Sequence, residues 1–255
     1  MPRIMTYNVH RCVGVDGKLD VARVARVIAH AKPDIVALQE LDVGRARTGS
    51  VDQAHMLAEL LGMKFHFNAA LRVEEERYGD AILTAAPMRL VKAGALPGSR
   101  AVRGLEPRGA LWVKIEIGGV ELDVVNAHLG LVPHEQRAQA AALVGGDWMG
   151  RSDCTDPAVL IGDLNATPRH AAYRWIGARL RDGQTLVRRR HFATFPSRWP
   201  MLSIDHVFVS ASIRVLGVHA PRGALMRLAS DHLPLLVDFA FDGAGATPAS
   251  AIAST

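Results

Sequence analysis

The stretch Ala158-Val159-Leu160-Ile161-Gly162-Asp163-Leu164-Asn165-Ala166-Thr167-Pro168 sets the fold class of this chain. Its first half is an uninterrupted apolar run, the pattern of a strand buried on both faces. Gly162-Asp163-Leu164-Asn165 ends the run, and Pro168 prevents the strand from continuing. Side chains alternate along a strand, which places Asp163 and Asn165 on one face. Burying a carboxylate and a carboxamide without partners is costly, so they face a solvated cleft or meet something charged. Taken alone, the motif is equally a turn after a strand, where Asp and Asn are common.

The pattern recurs on both sides of this stretch. Ile4 to Val9 reads as a short strand with Asn8 and His10 at its end. Asp20 then caps a helix whose apolar positions Val21, Val24, Ala25, Ile28 and Ala29 share a face, and Pro33 closes it. Asp34 to Gln39 is a second buried-type strand, with Glu40 at its tip. A helix is expected from about Asp52 to Leu61, ended by Gly62. Short strands are expected at Lys64–Asn68, Ala69–Val73, Asp80–Thr84 and Arg89–Ala93, followed by a loop from Gly94 to Gly109 that contains Arg100, Arg103 and Arg108. Ala110–Ile117 and Val120–Ala127, joined by Gly118-Gly119, form a hairpin that exits through Asn126-Ala127-His128. Pro133 to Val144 is helical, with proline in its first turn. Beyond the opening stretch, Arg169–Ile176 reads as a short helix, and 177–202 carries no clear period. Ile204–Ser210 is a strand starting at Asp205, Ile213–His219 pairs with it, and Ser230-Asp231-His232 precedes a last strand, Leu233–Phe241. One domain over 1–242 and a disordered tail over 243–255 are expected, because the tail has almost nothing to bury.

Composition bounds the rest. The 255 residues are 49% hydrophobic and 22% charged, as in a soluble globular protein with a sizeable core. A net charge of +5 and a pI near 9.6 favour acidic partners such as phosphate-bearing molecules. The 25 arginines against 5 lysines weaken that inference, since arginine excess also follows genome base composition. The dense run Arg188-Arg189-Arg190 is either a solvated loop or a polyanion contact. Two cysteines, Cys12 and Cys154, make neither a disulfide framework nor a zinc site. With no charged-then-apolar leader and no apolar segment of membrane-spanning length, the expectation is a cytoplasmic monomer.

Asn8, Glu40, His128, Asp163, Asn165, Asp205, Asp231 and His232 all stand at strand ends of otherwise apolar segments. In an α/β architecture such ends converge on a ligand-binding edge. Gathered carboxylates repel unless a hard cation joins them, and oxygen donors without cysteine suit Mg²⁺ or Mn²⁺. Two histidines beside carboxylates add acid–base and charge-stabilising chemistry. Metal, imidazoles and amide donors together describe phosphoester hydrolysis.

The ordered set Thr6-Tyr7-Asn8, Leu38-Gln39-Glu40, Tyr78-Gly79-Asp80-Ala81-Ile82-Leu83, Asn126-Ala127-His128-Leu129, Gly162-Asp163-Leu164-Asn165, Ile204-Asp205-His206 and Ser230-Asp231-His232 resembles the endonuclease/exonuclease/phosphatase superfamily. That group includes pancreatic-type deoxyribonucleases, abasic-site endonucleases, inositol polyphosphate 5-phosphatases and neutral sphingomyelinases. The resemblance implies a four-layer α/β/β/α sandwich of two mixed β-sheets flanked by helices. It implies that Glu40 is the principal metal ligand, with Asn8 and Asp231 close to the metal or its waters. Asp163 would position or deprotonate the attacking water, and Asn165 would donate to the phosphoryl oxygens. His232, oriented by Asp205, would stabilise the transition state, and His128 would contact the scissile phosphate. Arg108 and Asn126 are the expected further substrate contacts. Asp80 stands where many relatives have Asn, and no ligand role is assigned to it.

Substrate class is less legible. Met201-Leu202-Ser203-Ile204-Asp205 lacks the Trp-Arg-x-Asp sequence typical of abasic-site enzymes. Thr194-Phe195-Pro196-Ser197 followed by Ile204-Asp205-His206 looks more like the branch with small bacterial proteins and sphingomyelinase-like enzymes. A lipid headgroup or other small phosphodiester is therefore expected, with peripheral contact to lipid. A nuclease is the alternative, although 5% aromatic content offers few stacking platforms. A non-catalytic phosphate-binding protein would be expected to lack one of these positions, and none is missing.

Overall fold

The computed structural model describes residues 1–98 and 104–242. The expected tail from 243 onward, and Arg100 and Arg103 of the expected loop, lie outside these residues. The strands are β1 (Arg3–Asn8), β2 (Ile35–Val43), β3 (Lys64–Val73), β4 (Glu76–Thr84), β5 (Met88–Ala95), β6 (Gly109–Ile117), β7 (Val120–His128), β8 (Ala158–Asp163), β9 (Arg181–Asp182), β10 (Asp205–Val209), β11 (Ile213–His219) and β12 (Leu235–Phe241). The helices are α1 (Val21–Ala31), α2 (Gln53–Leu61), α3 (Pro133–Val144), α4 (Ala171–Gly177), α5 (Gly183–Val187) and α6 (Ala224–Ala229).

One sheet runs β11-β12-β1-β2-β4-β3 and the other β5-β6-β7-β8-β10-β9. Each contains one parallel pair among antiparallel neighbours, β1 with β2 and β7 with β8. A parallel pair needs a long crossover, and α1 and α3 supply the two. Three apolar layers follow from the strand alternation. Ile4, Ile35 and Ile82 point inward against Val113, Val124 and Ile161 of the other sheet. Met5, Val36 and Leu38 point outward against Val24 and Ile28 of α1 and Leu57 of α2. Trp112, Val125 and Leu160 do the same against Leu143 of α3 and Ile176 of α4. Two mixed sheets with helices outside are the architecture that the sequence motifs imply, and burial on both faces explains why the central strands are apolar runs.

Local chemistry sets the boundaries. Asp20 and Asp52 cap α1 and α2 by accepting from the backbone N–H of Arg23 and His55. Gly118 and Gly119 adopt φ of 60° and 78°, the turn that matches hairpin twist. The two expected strands at 64–73 are one strand, β3, whose register shifts between Ala69 and Leu71. β2 does not stop at Gln39. It continues to Val43 through an irregularity between Leu38 and Leu41, where Glu40 takes φ 61°. Glu40 therefore projects from a bulge within a strand, a feature that re-aims a side chain. The short α5 and α6 escape sequence reading because neither is long enough to display a helical period.

Residues 177–202 owe their order to a buried polar cluster. Asp182 caps α5 and accepts from Tyr173 Oη at 3.0 Å, His191 Nε2 at 3.1 Å and His206 Nδ1 at 3.1 Å. Burial opposes the Asp182 charge, but the two imidazoles override it and hold its carboxyl below the usual range. His206, buried and facing Asp182, is raised despite its own desolvation. Asp182 stabilises the fold above its unfolded value of about 3.9 and loses that contribution as pH falls through its lower folded value. The His206 contribution is full below about 6.5 and fades as pH rises through its raised folded value. Asp182→Asn is expected to cost on the order of 3 kcal/mol at pH 5–6 and less at pH 9, read as the gap between wild-type and variant melting temperatures. A gap that does not change with pH would show that the cluster is held by neutral hydrogen bonds.

Candidate active site

Strand register gathers the polar ends. His128 of β7 lies opposite Asp163 of β8, and Asp163 lies opposite Asp205 of β10. Gly162 permits this: a Cβ there would come 1.9 Å from the Ala127 carbonyl oxygen, and its φ is 146°. β8 ends at Asp163, so Asn165 reaches the site from a left-handed turn (φ 47°) rather than from the strand face. Asp163 Oδ1 accepts from Asn165 N at 2.9 Å, which makes the motif a turn as well as a cluster of functional groups.

Asp163 Oδ2 is the hub. Asn8 Nδ2 donates to it from the opposite sheet at 3.0 Å, His128 Nε2 lies 3.5 Å away and His232 Nε2 3.6 Å away. His232 Nδ1 is 2.9 Å from Asp205 Oδ2, and the Phe195 ring packs against its imidazole at 4.8 Å. Burial works against a charge on His232, but Asp205 and Asp163 outweigh it and lift the group to about 10. Burial pushes Asp163 up to about 6, against the pull of His232. His232 is a cation at neutral pH, and Asp163 exchanges its proton close to neutrality.

His128 is the opposite case. Burial, then Arg108 and His232, push it well below the ordinary imidazole value. Arg108 Nη1 lies 3.0 Å from Nδ1, and a guanidinium has no acceptor to offer. Nδ1 is thus the accepting nitrogen, and Nε2 carries the proton on the side of Asp163. Asn165 Nδ2 donates to Leu129 O and lies 3.1 Å from that Nε2, so in this tautomer the two face each other as N–H donors rather than as a hydrogen-bonded pair. Arg108 also pairs with Glu106 at 3.1 Å, and its buried Nε has no hydrogen-bond partner.

Glu40 opens on a cavity of about 260 Å³ shared with His10, Arg11, Arg47, Tyr78, Glu106 and Asp231. Asn8 Nδ2 donates to Glu40 Oε1 at 3.0 Å as well as to Asp163, while Asn8 Oδ1 accepts from His10 N. Expected as a metal neighbour, Asn8 is placed as a clamp between two carboxylates with its carbonyl turned away. Asp80 is buried behind Glu40 and accepts its backbone N–H, and burial lifts its carboxyl to about 8. A mostly protonated Asp80 at neutral pH is close in shape and charge to an asparagine.

One expected substrate contact is not in the cleft. Asn126 is fully buried between the sheets, donating to Leu38 O at 2.9 Å and Ala81 O at 3.0 Å and accepting from Gln39 Nε2 at 2.8 Å. It holds the strand next to the Glu40 bulge, and no polar atom is left for a ligand. The reason is pleat: Asn126 and His128 share a face, but only His128 reaches the open end. Asn126→Ala takes the donor from two buried carbonyls, Leu38 O and Ala81 O, while Gln39 Nε2 keeps Thr6 Oγ1 and Ala37 O, and each buried group left unpaired costs about 1–3 kcal/mol. A fall of several kcal/mol in urea stability is expected, and an unchanged midpoint would contradict the bridging role.

The sequence reading also passed over the turn His10-Arg11-Cys12. All three residues have positive φ, 45°, 56° and 56°, a run that L-residues avoid. It turns His10 into the Glu40 cleft, where its buried Nδ1 has no hydrogen-bond partner and lies 3.8 Å from Asp231 Oδ1. No local sequence signal marks such a turn apart from the polar residues themselves.

The chain matches the Endonuclease/Exonuclease/phosphatase family over residues 5–232 and belongs to it. Among solved structures it is similar to an endonuclease/exonuclease/phosphatase from Beutenbergia cavernae DSM 12333, with 25% identity and a TM-score of 0.76 over 95% of this chain and 72% of that one. A mannosyl-6-phosphatase from Bacteroides thetaiotaomicron VPI-5482 (19%, TM-score 0.74, 94% of this chain and 100% of that one) shares the fold. So does the human Nocturnin catalytic domain (19%, TM-score 0.71, 94% and 93%). No curated protein matches the sequence.

Two acidic groupings could hold the divalent cation on which the family generally depends. Asp163, Asp205 and His232 place ligand atoms within 4.8 Å of one another. In that set the His232 imidazole lies between the carboxylates, 2.9 Å from Asp205 and 3.6 Å from Asp163, and as a cation balances part of their charge. Glu40 and Asp231 open on the same cleft and form the second grouping; the Arg11 guanidinium sits on His10 Nε2, so His10 Nδ1 carries the proton and His10 is not a ligand in this arrangement. Among the described residues, no helix is long and apolar enough to cross a membrane.

Proposed function

We propose that this protein is a Mg²⁺- or Mn²⁺-dependent hydrolase of phosphoesters. The observation that carries the reading is the convergence on Asp163 Oδ2 of Asn8 Nδ2 at 3.0 Å, His128 Nε2 at 3.5 Å and His232 Nε2 at 3.6 Å. Glu40 and Asp231 would hold the metal, which when bound neutralises phosphate charge and acidifies water. Asp163 accepts the proton of the attacking water at Oδ2. His232 donates from Nε2 to the phosphoryl oxygen that gains charge, and Asp205 keeps it oriented and protonated. His128 and Asn165 steady the same phosphate through N–H groups, and Arg108, paired with Glu106 and His128, holds His128 in its tautomer and adds positive charge behind it. Asn8 keeps Glu40 and Asp163 apart from one another at fixed spacing.

For the substrate we favour a lipid headgroup or a small phosphodiester. Trp199 and Met201 are 76% and 75% exposed on the loop whose Phe195 packs on His232, an apolar rim suited to a lipid surface. A nuclease is the second reading, favoured by the net charge of +5. Both free cysteines are raised by burial, as expected of unreactive thiols.

The test is a hydrolysis panel of sphingomyelin, phosphatidylinositol, inositol phosphates, plasmid DNA and abasic oligonucleotide, each with Mg²⁺, Mn²⁺ or EDTA. Turnover is expected with metal and none with EDTA, and Glu40→Ala should behave as the EDTA sample does. Plasmid cleavage far above every lipid would replace the first substrate reading by the second. EDTA-resistant turnover would remove the metal from the account.

A further inference from the structure

A second cavity, of about 420 Å³, opens at the end of the Asp163–Pro168 turn, which supplies Thr167 and Pro168 to its wall. Thr167, Arg169, Arg190, His191, Met201 and Ser203 line it. Thr167 is two residues from Asn165, which trans geometry limits to ~7 Å between Cα atoms, and Ser203 is two residues from Asp205. The cavity therefore adjoins the segments that carry Asn165 and Asp205 of the catalytic cluster.

Its charge is unbalanced. Among the described residues, neither the Arg169 nor the Arg190 guanidinium has a hydrogen-bond or ion-pair partner; Arg169 and Arg190 contribute only backbone carbonyls, to Arg174 and Arg188. No carboxylate lines the cavity. Most other arginines near the main site are engaged, Arg47 with Asp42 and Arg108 with Glu106 and His128. The third nitrogenous group, His191, is held in the wall by Asp182, the residue that also anchors His206. His206 in turn lies 2.9 Å from Ala166 O, so one buried network fixes both His191 and the turn that carries Asn165. Two unpaired guanidiniums on a fixed wall with hydroxyls at Thr167 and Ser203 form a receptor for a phosphate-like anion.

We propose that this cavity binds a second phosphate of the substrate, so that the preferred phosphoester carries another phosphate a few bonds from the one cleaved. The substrate assignment rests on the hydrolytic reading of the main site, whereas anion binding does not. The same chemistry is found in a phosphorylated inositol headgroup and in the flanking phosphate of a nucleotide, and Met201 gives the cavity an apolar edge that either scaffold can meet.

The experiment uses the full chain and its Arg169→Ala/Arg190→Ala variant, both substitutions being on the exposed surface. Calorimetric titration compares thymidine 3′,5′-bisphosphate with thymidine 5′-monophosphate, and inositol 1,4-bisphosphate with inositol 1-phosphate. In at least one pair the bisphosphate is expected to bind wild type about tenfold more tightly, by order of a charge-assisted contact, and the variant should lose that preference. The pair with the preference identifies the scaffold. Hydrolysis of bis(p-nitrophenyl) phosphate, which has one phosphate, should be unchanged in the variant. No preference in either pair, or a preference that survives in the variant, overturns the subsite. A preference lost in the variant while wild type cleaves no phosphoester keeps the subsite and overturns the hydrolytic reading instead.

Discussion

Asp163→Ala is expected to lower kcat by about 10²–10⁴-fold, the usual contribution of a positioned general base. Asp163 Oδ2 is the one carboxylate oxygen approached by Asn8, His128 and His232 together. Removing it takes away the proton acceptor and one of the two anions that keep His232 charged. Misfolding would give the same loss, so stability is the control. A carboxyl raised by burial from its ordinary value to about 6 is more easily ionised in the unfolded chain. It therefore destabilises the fold progressively as pH rises from about 4 to 6, and by a constant amount above that. Asp163→Asn should raise stability by on the order of 1–3 kcal/mol at pH 8 in EDTA while turnover with metal is lost. An inactive variant that is also less stable would point to a structural role instead.

His232→Ala is expected to cost about 10²–10³-fold in kcat, as for removal of a donor that meets developing charge. Its pH signature separates it from Asp163. Activity should rise as Asp163 loses its proton near pH 6 and fall as His232 loses its own toward pH 10. Asp205 is the largest influence lifting His232, through a 2.9 Å contact at Nδ1. Asp205→Asn should move the alkaline limb to lower pH and leave the acid limb nearly in place. If the alkaline limb does not move, His232 is not the acid that the profile reports.

Much of the fold could be read from the chain because central strands buried on both faces are written as apolar runs, as in β1, β2 and β8. The residues at their ends could be read for the same reason: Asn8, His128, Asp163 and Asp205 interrupt patterns that would otherwise stay apolar. What escaped was non-local. Glu40 needed a bulge held by Asn126 from the other sheet, and nothing near Gln39-Glu40 announces that contact. Asn126 itself was read as a ligand group because a polar residue at a strand end and a polar spacer between sheets look alike in sequence. The order in 177–202 depends on Asp182 meeting His206, 24 residues away. His10 depends on a left-handed turn that propensity argues against.

The central claim is that water attacks phosphorus with Asp163 as its base and a divalent cation in the Glu40 cleft. Turnover of the best substrate of the panel in ¹⁸O-water, followed by mass spectrometry of both products, tests it most directly. The account predicts one solvent oxygen per turnover in the phosphoryl product and none in the alcohol, with label incorporation lost in EDTA and in Asp163→Ala. Label in the alcohol, or undiminished incorporation in Asp163→Ala, would contradict it.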